Sequence, residues 1–217
     1  MGETCTEIAW AQPALGASAE VLTQVYEDHI NLAVWQRTLN PNLDTYAQEW
    51  CQKHEAWAIK QIVPTEDVEA LLSQELPELK HKDEFIADLE LLIDMFSCLF
   101  EVKEVGLRLT PLRKAMCPKF HVDNIPCRMV STYGGPGSQW LQETDVNRSL
   151  LGRGSKGLSD EESGLYPTSD AIQQLGSQEV ALLKGSGWEG NEQSGIVHRS
   201  PALHSGQCRL LLTLDFY

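Results

Sequence analysis

A chain of 217 residues, of which 42% are hydrophobic, is long enough to bury a core without disulfide bonds. Its six cysteines include no C-x-x-C pair, and no apolar stretch reaches the roughly 18 residues that span a bilayer. We therefore expect a soluble, cytoplasmic protein with free thiols and no membrane partner. The net charge of −14 repels phosphate backbones, which argues against nucleic acid as a partner.

The acidic residues are concentrated in the first half of the chain. Residues 1–103 carry 19 acidic and 6 basic side chains, whereas residues 104–217 carry 12 and 11. A well-solvated helical surface is the simpler interpretation of this acidic half. A docking face for a basic protein partner is the other interpretation.

In chain order, residues 1–16 show no period and are expected to form a loose arm. Apolar residues at helical spacing then predict helices over about 18–34, 43–62, 65–72 and 83–100. Pro64 ends the second of these. Within that second helix the larger side chains expected to be buried are Tyr46, Trp50 and Trp57.

After Gly106 the sequence changes to short apolar and β-branched runs separated by Gly, Pro, Asn and Ser, which is typical of strands and tight turns. The predicted strands cover residues 106–109, 119–123, 127–133, 179–183, 195–198 and 208–216. We therefore predict an α+β chain. Helices of residues 17–103 would pack on a β-barrel core formed by residues 104–217.

A candidate metal site begins in the second predicted strand. His121 and Asp123 are two residues apart, so their side chains point to the same face of that strand. A third ligand is expected from a distant strand; His198 lies at the end of one, and His204, in a predicted loop, is the alternative. Two histidines and one carboxylate that leave other positions open are typical of non-haem Fe(II) oxygenases. Taken singly, His121 and Asp123 are also explained as a hydrogen-bonded histidine and a turn former.

The last predicted strand adds an anion-binding candidate. Arg209 opens this strand, and Thr213 lies on the same face. A guanidinium that points into a barrel is costly unless an anion meets it. Arg209 therefore predicts an anionic ligand next to the metal.

With these elements in place, the chain resembles the Fe(II)/2-oxoglutarate-dependent dioxygenase superfamily, especially its prolyl-hydroxylase-like branch. The matching elements are His121-Val122-Asp123, the strand 128–133 with the turn 134–137, the apolar strand 180–183, and His198 followed by Arg209. The chain is also similar to a bacterial family known only as a domain of unknown function. The superfamily resemblance implies a double-stranded β-helix, a jelly-roll barrel that is cupin-like in shape.

The same resemblance implies roles for particular residues. It makes His121, Asp123 and His198 ligands of catalytic Fe(II). It makes Arg209 the partner of the distal carboxylate of the cosubstrate 2-oxoglutarate, with Tyr133 and Thr213 as further contacts. The implied activity is hydroxylation of an unknown substrate, either a small molecule or a protein side chain.

Two other functions stay open at this point. A cupin-like protein in metal homeostasis would bind a metal through the same three residues but would not turn over 2-oxoglutarate. An interaction module would use the acidic helices to dock a partner and the barrel as a scaffold. The orientation of Arg209 distinguishes the oxygenase from these two alternatives, since only the oxygenase needs this side chain to face the metal.

Overall fold

The computed structural model describes residues 10–66 and 68–217. Ten strands lie in these ranges: β1 Gln12–Gly16, β2 Ile30–Trp35, β3 Ile59–Pro64, β4 Glu104–Leu112, β5 Cys127–Tyr133, β6 Gln139–Leu141, β7 Ile172–Gln174, β8 Val180–Lys184, β9 Val197–Arg199 and β10 Arg209–Phe216. The α-helices of the same ranges are α1 Pro41–Lys53, α2 Val68–Glu75, α3 Lys82–Phe100 and α4 Asp160–Ser163. Short 3-10 helices occur at Ala19–Tyr26, Glu143–Asp145, Arg148–Leu150, Gly152–Ser155 and Ser169–Ala171.

The strands form two sheets. Seven strands build a large sheet in the order β1-β2-β8-β5-β10-β4-β3, and three build a small sheet in the order β7-β6-β9. An isolated antiparallel bridge between His121 and His198 adds one residue pair beside β9. The chain therefore has a mixed fold, with one large sheet and few helices. The double-stranded β-helix stays a prediction.

The large sheet separates two apolar layers. On β10, Leu210, Leu212 and Leu214 belong to the main core together with helices α1 and α3. The intervening residues Leu211 and Thr213 face the other side and line a pocket. Because side chains alternate along a strand, β4, β5 and β10 each contribute to the core with one set of residues and to the pocket with the other.

The expectation that residues 17–103 are helical is wrong in two places. The first predicted helix is replaced by the 3-10 helix Ala19–Tyr26 and by strand β2, and the second ends at Lys53 and is followed by β3. Strand β2 is buried on both faces: Ile30 and Ala33 lie in the main core, and Leu32 and Val34 pack between the sheets. A run that is apolar on both faces has no strand alternation, which is why its sequence is compatible with a helix.

Two further predictions for residues 1–103 concern the buried side chains of the second helix and the arm at the start of the chain. Tyr46 and Trp50 are fully buried on α1, as expected, whereas Trp57 lies beyond the helix and is 41% exposed. The loose arm expected over residues 1–16 falls partly outside the described residues, and its end, Gln12–Gly16, is a strand that pairs in parallel with β2. None of the helices in the described ranges has the length and apolar character needed to cross a membrane.

Candidate metal centre

Three of the predicted site residues meet at one point. One ligand atom each from His121, Asp123 and His198 lies within 4.8 Å of the others. The Nε2 atom of His121 is 3.6 Å from Asp123 Oδ1, and the Nε2 atom of His198 is 3.6 Å from Asp123 Oδ2. The backbone fixes this arrangement, because His121 and His198 exchange two N–H···O hydrogen bonds of 3.0 Å. His204 is exposed and lies outside this cluster.

The hydrogen bonds of the two imidazoles orient their lone pairs. His121 Nδ1 lies 2.9 Å from the carbonyl oxygen of Lys119, and His198 Nδ1 lies 3.1 Å from that of Ile196. Because a carbonyl only accepts, the Nδ1 atoms carry the hydrogens and the Nε2 atoms present lone pairs toward Asp123. Metal-binding histidines commonly use this tautomer, with Nδ1–H bonded to a carbonyl.

Burial and local charge set the protonation states. Burial lowers the pKa of His198 to about 4, so this imidazole is neutral at pH 7. Burial alone would raise the pKa of Asp123, but its close neighbours His121, His198 and Arg128 outweigh burial and hold the pKa at about 2. The carboxylate of Asp123, 3.6 Å from the Nε2 atom of His121, in turn raises the pKa of His121. An ionised carboxylate beside a neutral imidazole is a donor set that a divalent cation can bind.

Arg128 holds the carboxylate in place. Its Nη1 donates to Asp123 Oδ2 at 2.8 Å, while Nε and Nη2 donate to the two oxygens of Asp215 at 2.6 and 3.0 Å. No described residue donates a hydrogen bond to Asp123 Oδ1. The bidentate pair with Asp215 fixes the guanidinium, and the guanidinium fixes Asp123 with Oδ1 available for a metal.

His121 and His198 line a pocket of about 240 Å³ between the two sheets. Its walls combine apolar side chains such as Val130 and Leu211 with polar ones such as Ser200 and Thr213. The Thr213 hydroxyl is buried and has no hydrogen-bond partner among the described residues. The pocket therefore holds an unpaired polar group on the same strand as Arg209.

Arg209 is a buried cation without a carboxylate partner in the described structure. It is 1% exposed and donates to Pro136 O at 3.2 Å and to Ser200 Oγ at 3.1 Å, while its Nε has no partner. Burial lowers its pKa to about 10. Arg209 lies on the same face of β10 as the pocket-lining Thr213, and Ser200 lines the pocket itself. A buried guanidinium with a vacant donor is costly in isolation and fits an anionic ligand.

Tyr133 is not brought to this pocket. Its ring lies on the opposite face of β5, packed against Phe85, and its hydroxyl donates to Asp88 Oδ2 at 2.6 Å. The parity of the strand explains this, since Arg128 and Val130 line the pocket and Tyr133 is out of step with both. The expectation that Tyr133 contacts the cosubstrate is therefore corrected.

Sequence reasoning missed Asp160, which supports the ligand segment from the start of α4. Its Oδ2 accepts from the backbone N–H of Phe120 at 2.8 Å and from Arg199 Nη1 at 3.2 Å. The capping box formed by Ser159 and Glu162 is a signal from which this helix start could have been found. Nothing in the sequence indicates the contact of Asp160 with Phe120, the residue before His121.

With the geometry established, the fold can be compared with solved structures. The chain is similar to dioxygenase for auxin oxidation 1 from Arabidopsis thaliana, solved with 2-oxoglutarate, with a TM-score of 0.53 at 8% identity over 94% of this chain and 91% of that chain. It is also similar to the dioxygenase for auxin oxidation of rice, with a TM-score of 0.50 at 11% identity over 94% of this chain and 82% of that chain. The chain therefore shares the fold of these two structures.

The sequence gives the family. The chain belongs to the family described as "Protein of unknown function (DUF1826)", whose profile matches residues 16–215. No protein of curated function is similar to the chain in sequence. That the family is bacterial stays a prediction.

Proposed function

We propose that this protein is a non-haem Fe(II)- and 2-oxoglutarate-dependent oxygenase that hydroxylates an organic substrate. The observation that carries the proposal is the combination of a metal-ligand cluster at the pocket and a buried guanidinium that donates to the pocket-lining Ser200. His121, Asp123 and His198 offer three metal-binding atoms, and Arg209 offers a buried positive charge that no described acid neutralises. A metal-binding protein of another kind has no need for the second feature.

The donor set fits Fe(II). Two imidazole nitrogens and one carboxylate oxygen on one side of the cation leave its other coordination positions open, as the 2-His-1-carboxylate oxygenases require. His121 and His198 would bind through Nε2, and Asp123 through Oδ1, because Oδ2 already accepts from Arg128. These residues would hold the metal at the pocket wall without any rearrangement of their hydrogen bonds.

Arg209 fits the distal carboxylate of 2-oxoglutarate. A guanidinium has five N–H donors, and each of the two Nη atoms of Arg209 makes one hydrogen bond while Nε makes none. The buried Thr213 hydroxyl on the same face is a further donor. Burial of this pair keeps water from competing for the carboxylate.

Bound together, Fe(II) and 2-oxoglutarate supply the oxidising chemistry that converts a C–H bond to C–OH at the expense of O₂, with release of succinate and CO₂. The chain itself would orient the reactants and exclude water. Asp123 would stay ionised and His198 neutral at physiological pH, which keeps both competent to bind.

The test is an anaerobic titration of Fe(II) and 2-oxoglutarate into the metal-free protein, observing the weak visible charge-transfer band of the chelate. We expect the band in the wild type and its loss in His198→Ala, with His204→Ala unchanged. Metal binding without a band would contradict the proposal and favour a metal-binding protein in metal homeostasis.

A further inference from the structure

Two cations face each other at the pocket. Lys60 on β3 and Arg108 on β4 are directly opposite in the antiparallel register, and both line the pocket that His121 and His198 also line. Both side chains are exposed. Like charges at opposite positions of neighbouring strands destabilise a sheet, so this pair calls for an explanation.

Neither cation is neutralised by the protein. Among residues 10–66 and 68–217, Lys60 and Arg108 form no ion pair and their side chains donate no hydrogen bond. The other two cations of the pocket are neutralised: Arg128 binds Asp123 and Asp215, and Arg199 binds Asp160 and Glu161. The paired cations hold the site together, whereas the unpaired ones are available to a ligand.

Protection of an exposed sheet edge explains Lys60 but not Arg108. β3 is the last strand of the large sheet, and a lysine on an edge strand opposes pairing with another chain. That reason applies to Lys60. It does not apply to Arg108, because β4 lies inside the sheet between β3 and β10.

The register extends the pair into the pocket. Arg108 lies opposite Thr213 of β10, and Thr213 lies opposite Val130 of β5. Lys60, Arg108, Thr213 and Val130 thus form one row across the pocket face, charged at the edge of the sheet and apolar toward its centre. Leu211 and Met116 add apolar surface beside this row.

We propose that the compound hydroxylated in this pocket is a small organic anion whose carboxylate or phosphate group is bound by Lys60 and Arg108. The apolar part of the compound lies along Val130, Leu211 and Met116. A cavity of about 240 Å³ is at the small end of ligand pockets, which suits a small molecule. This inference rests on the proposed function, because an oxygenase is what makes the bound anion a substrate.

The test uses three probes of six carbons each: hexanoate, hexyl phosphate and hexan-1-ol. Each is titrated by NMR at low ionic strength, first into the metal-free protein and then into the anaerobic Fe(II) protein with excess 2-oxoglutarate. The excess occupies Arg209, so a probe anion must use another cation. Low salt is needed because exposed charges are screened.

We expect at least one of the two anions to bind more tightly than hexan-1-ol, and the stronger anion identifies the preferred group. Lys60→Gln and Arg108→Gln should each weaken that anion about three- to fivefold, as for other exposed charge pairs. Lys103→Gln, an exposed cation outside the pocket, is the matched control and should change nothing. Since Lys60 and Arg108 repel each other, neither substitution should lower the melting temperature.

Equal binding of hexanoate, hexyl phosphate and hexan-1-ol, absence of binding, or the same loss in Lys103→Gln would overturn the inference. The chelate band is recorded in the same Fe(II) samples. A missing band with an anion preference that still depends on Lys60 and Arg108 would refute the oxygenase and retain the anion site. A normal band without the anion preference would support the oxygenase and refute the anion site.

Discussion

The Nη1 atom of Arg128 donates a 2.8 Å hydrogen bond to Asp123 Oδ2, and this contact connects the ligand carboxylate to the large sheet. Arg128 lies on β5 and is itself bound by Asp215 of the neighbouring strand β10. The carboxylate is thus oriented by a strand pair that has no ligand of its own. Supporting contacts of this kind orient the ligands and contribute to metal affinity.

We therefore expect Asp215→Asn to weaken Fe(II) binding by about 10- to 100-fold without removing any ligand. The loss would arise because Arg128 is no longer held by a charged pair and Asp123 becomes less well positioned. Anaerobic calorimetric titration of Fe(II) measures the effect. Asp170→Asn, an exposed acid away from the pocket, is the control, and an equal loss in both variants would contradict this role.

The ligand assignment predicts a sharp contrast between two histidines. His198→Ala should abolish detectable binding of Co(II), used as a spectroscopic substitute for Fe(II), because it removes one of three ligands. His204→Ala should leave the Co(II) absorption spectrum and affinity unchanged, since this side chain is exposed and outside the cluster. The opposite pattern would show that the loop histidine is the ligand.

The metal-free protein should lose stability on mild acidification because of His198. Burial lowers its pKa in the folded state to about 4, whereas an unfolded histidine has a pKa of about 6.5. Between these values the unfolded chain binds a proton that the folded chain does not, so the free energy of unfolding falls as the pH decreases from about 6.5 to 4. This contribution is fully present above pH 6.5.

Urea unfolding of the metal-free protein at several pH values measures this slope. In His198→Gln the slope between pH 6.5 and 4 should be smaller than in the wild type, because the titrating group is absent. His121, with a raised pKa, contributes a slope of opposite sign and is present in both proteins. Identical slopes would show that His198 is not buried in its neutral form.

Tyr133→Phe should affect stability and not cosubstrate binding. The substitution removes a buried hydrogen bond to Asp88, which retains its pair with Arg37. We expect a loss of about 1–2 kcal/mol in the free energy of unfolding. The affinity for 2-oxoglutarate should be unchanged. A loss of affinity at normal stability would show that Tyr133 contributes to cosubstrate binding.

The pairing of His121 with Asp123 could be predicted from sequence by a short-range rule, although the predicted strand 119–123 is reduced to the isolated bridge of His121 with His198. Residues two apart share a face, which placed His121 with Asp123 and Arg209 with Thr213. The same rule could not place Tyr133, since parity tells which residues share a face but not which face is the pocket. That assignment needs the packing of α1 and α3 on one side of the sheet.

Longer-range features could not be predicted from sequence. The pairing of Arg128 with Asp215 depends on the register between strands 87 residues apart, and that of Lys60 with Arg108 on the register of β3 against β4. Strand β2 was predicted as helix because both of its faces are buried and its sequence has no alternation. In each case the missing information is which surfaces meet across the fold.

Arg209 is the residue on which the oxygenase proposal depends most, and two keto acids test it directly. Anaerobic Fe(II) protein is titrated with 2-oxoglutarate and with 2-oxobutyrate, which lacks the distal carboxylate, and the chelate band gives each affinity. We expect the wild type and the exposed control Arg153→Gln to prefer 2-oxoglutarate by about 10- to 100-fold, as for a buried hydrogen-bonded charge. Arg209→Gln should bind the two keto acids about equally. A preference that survives in Arg209→Gln, or none in the wild type, would contradict the role of Arg209 in binding the cosubstrate.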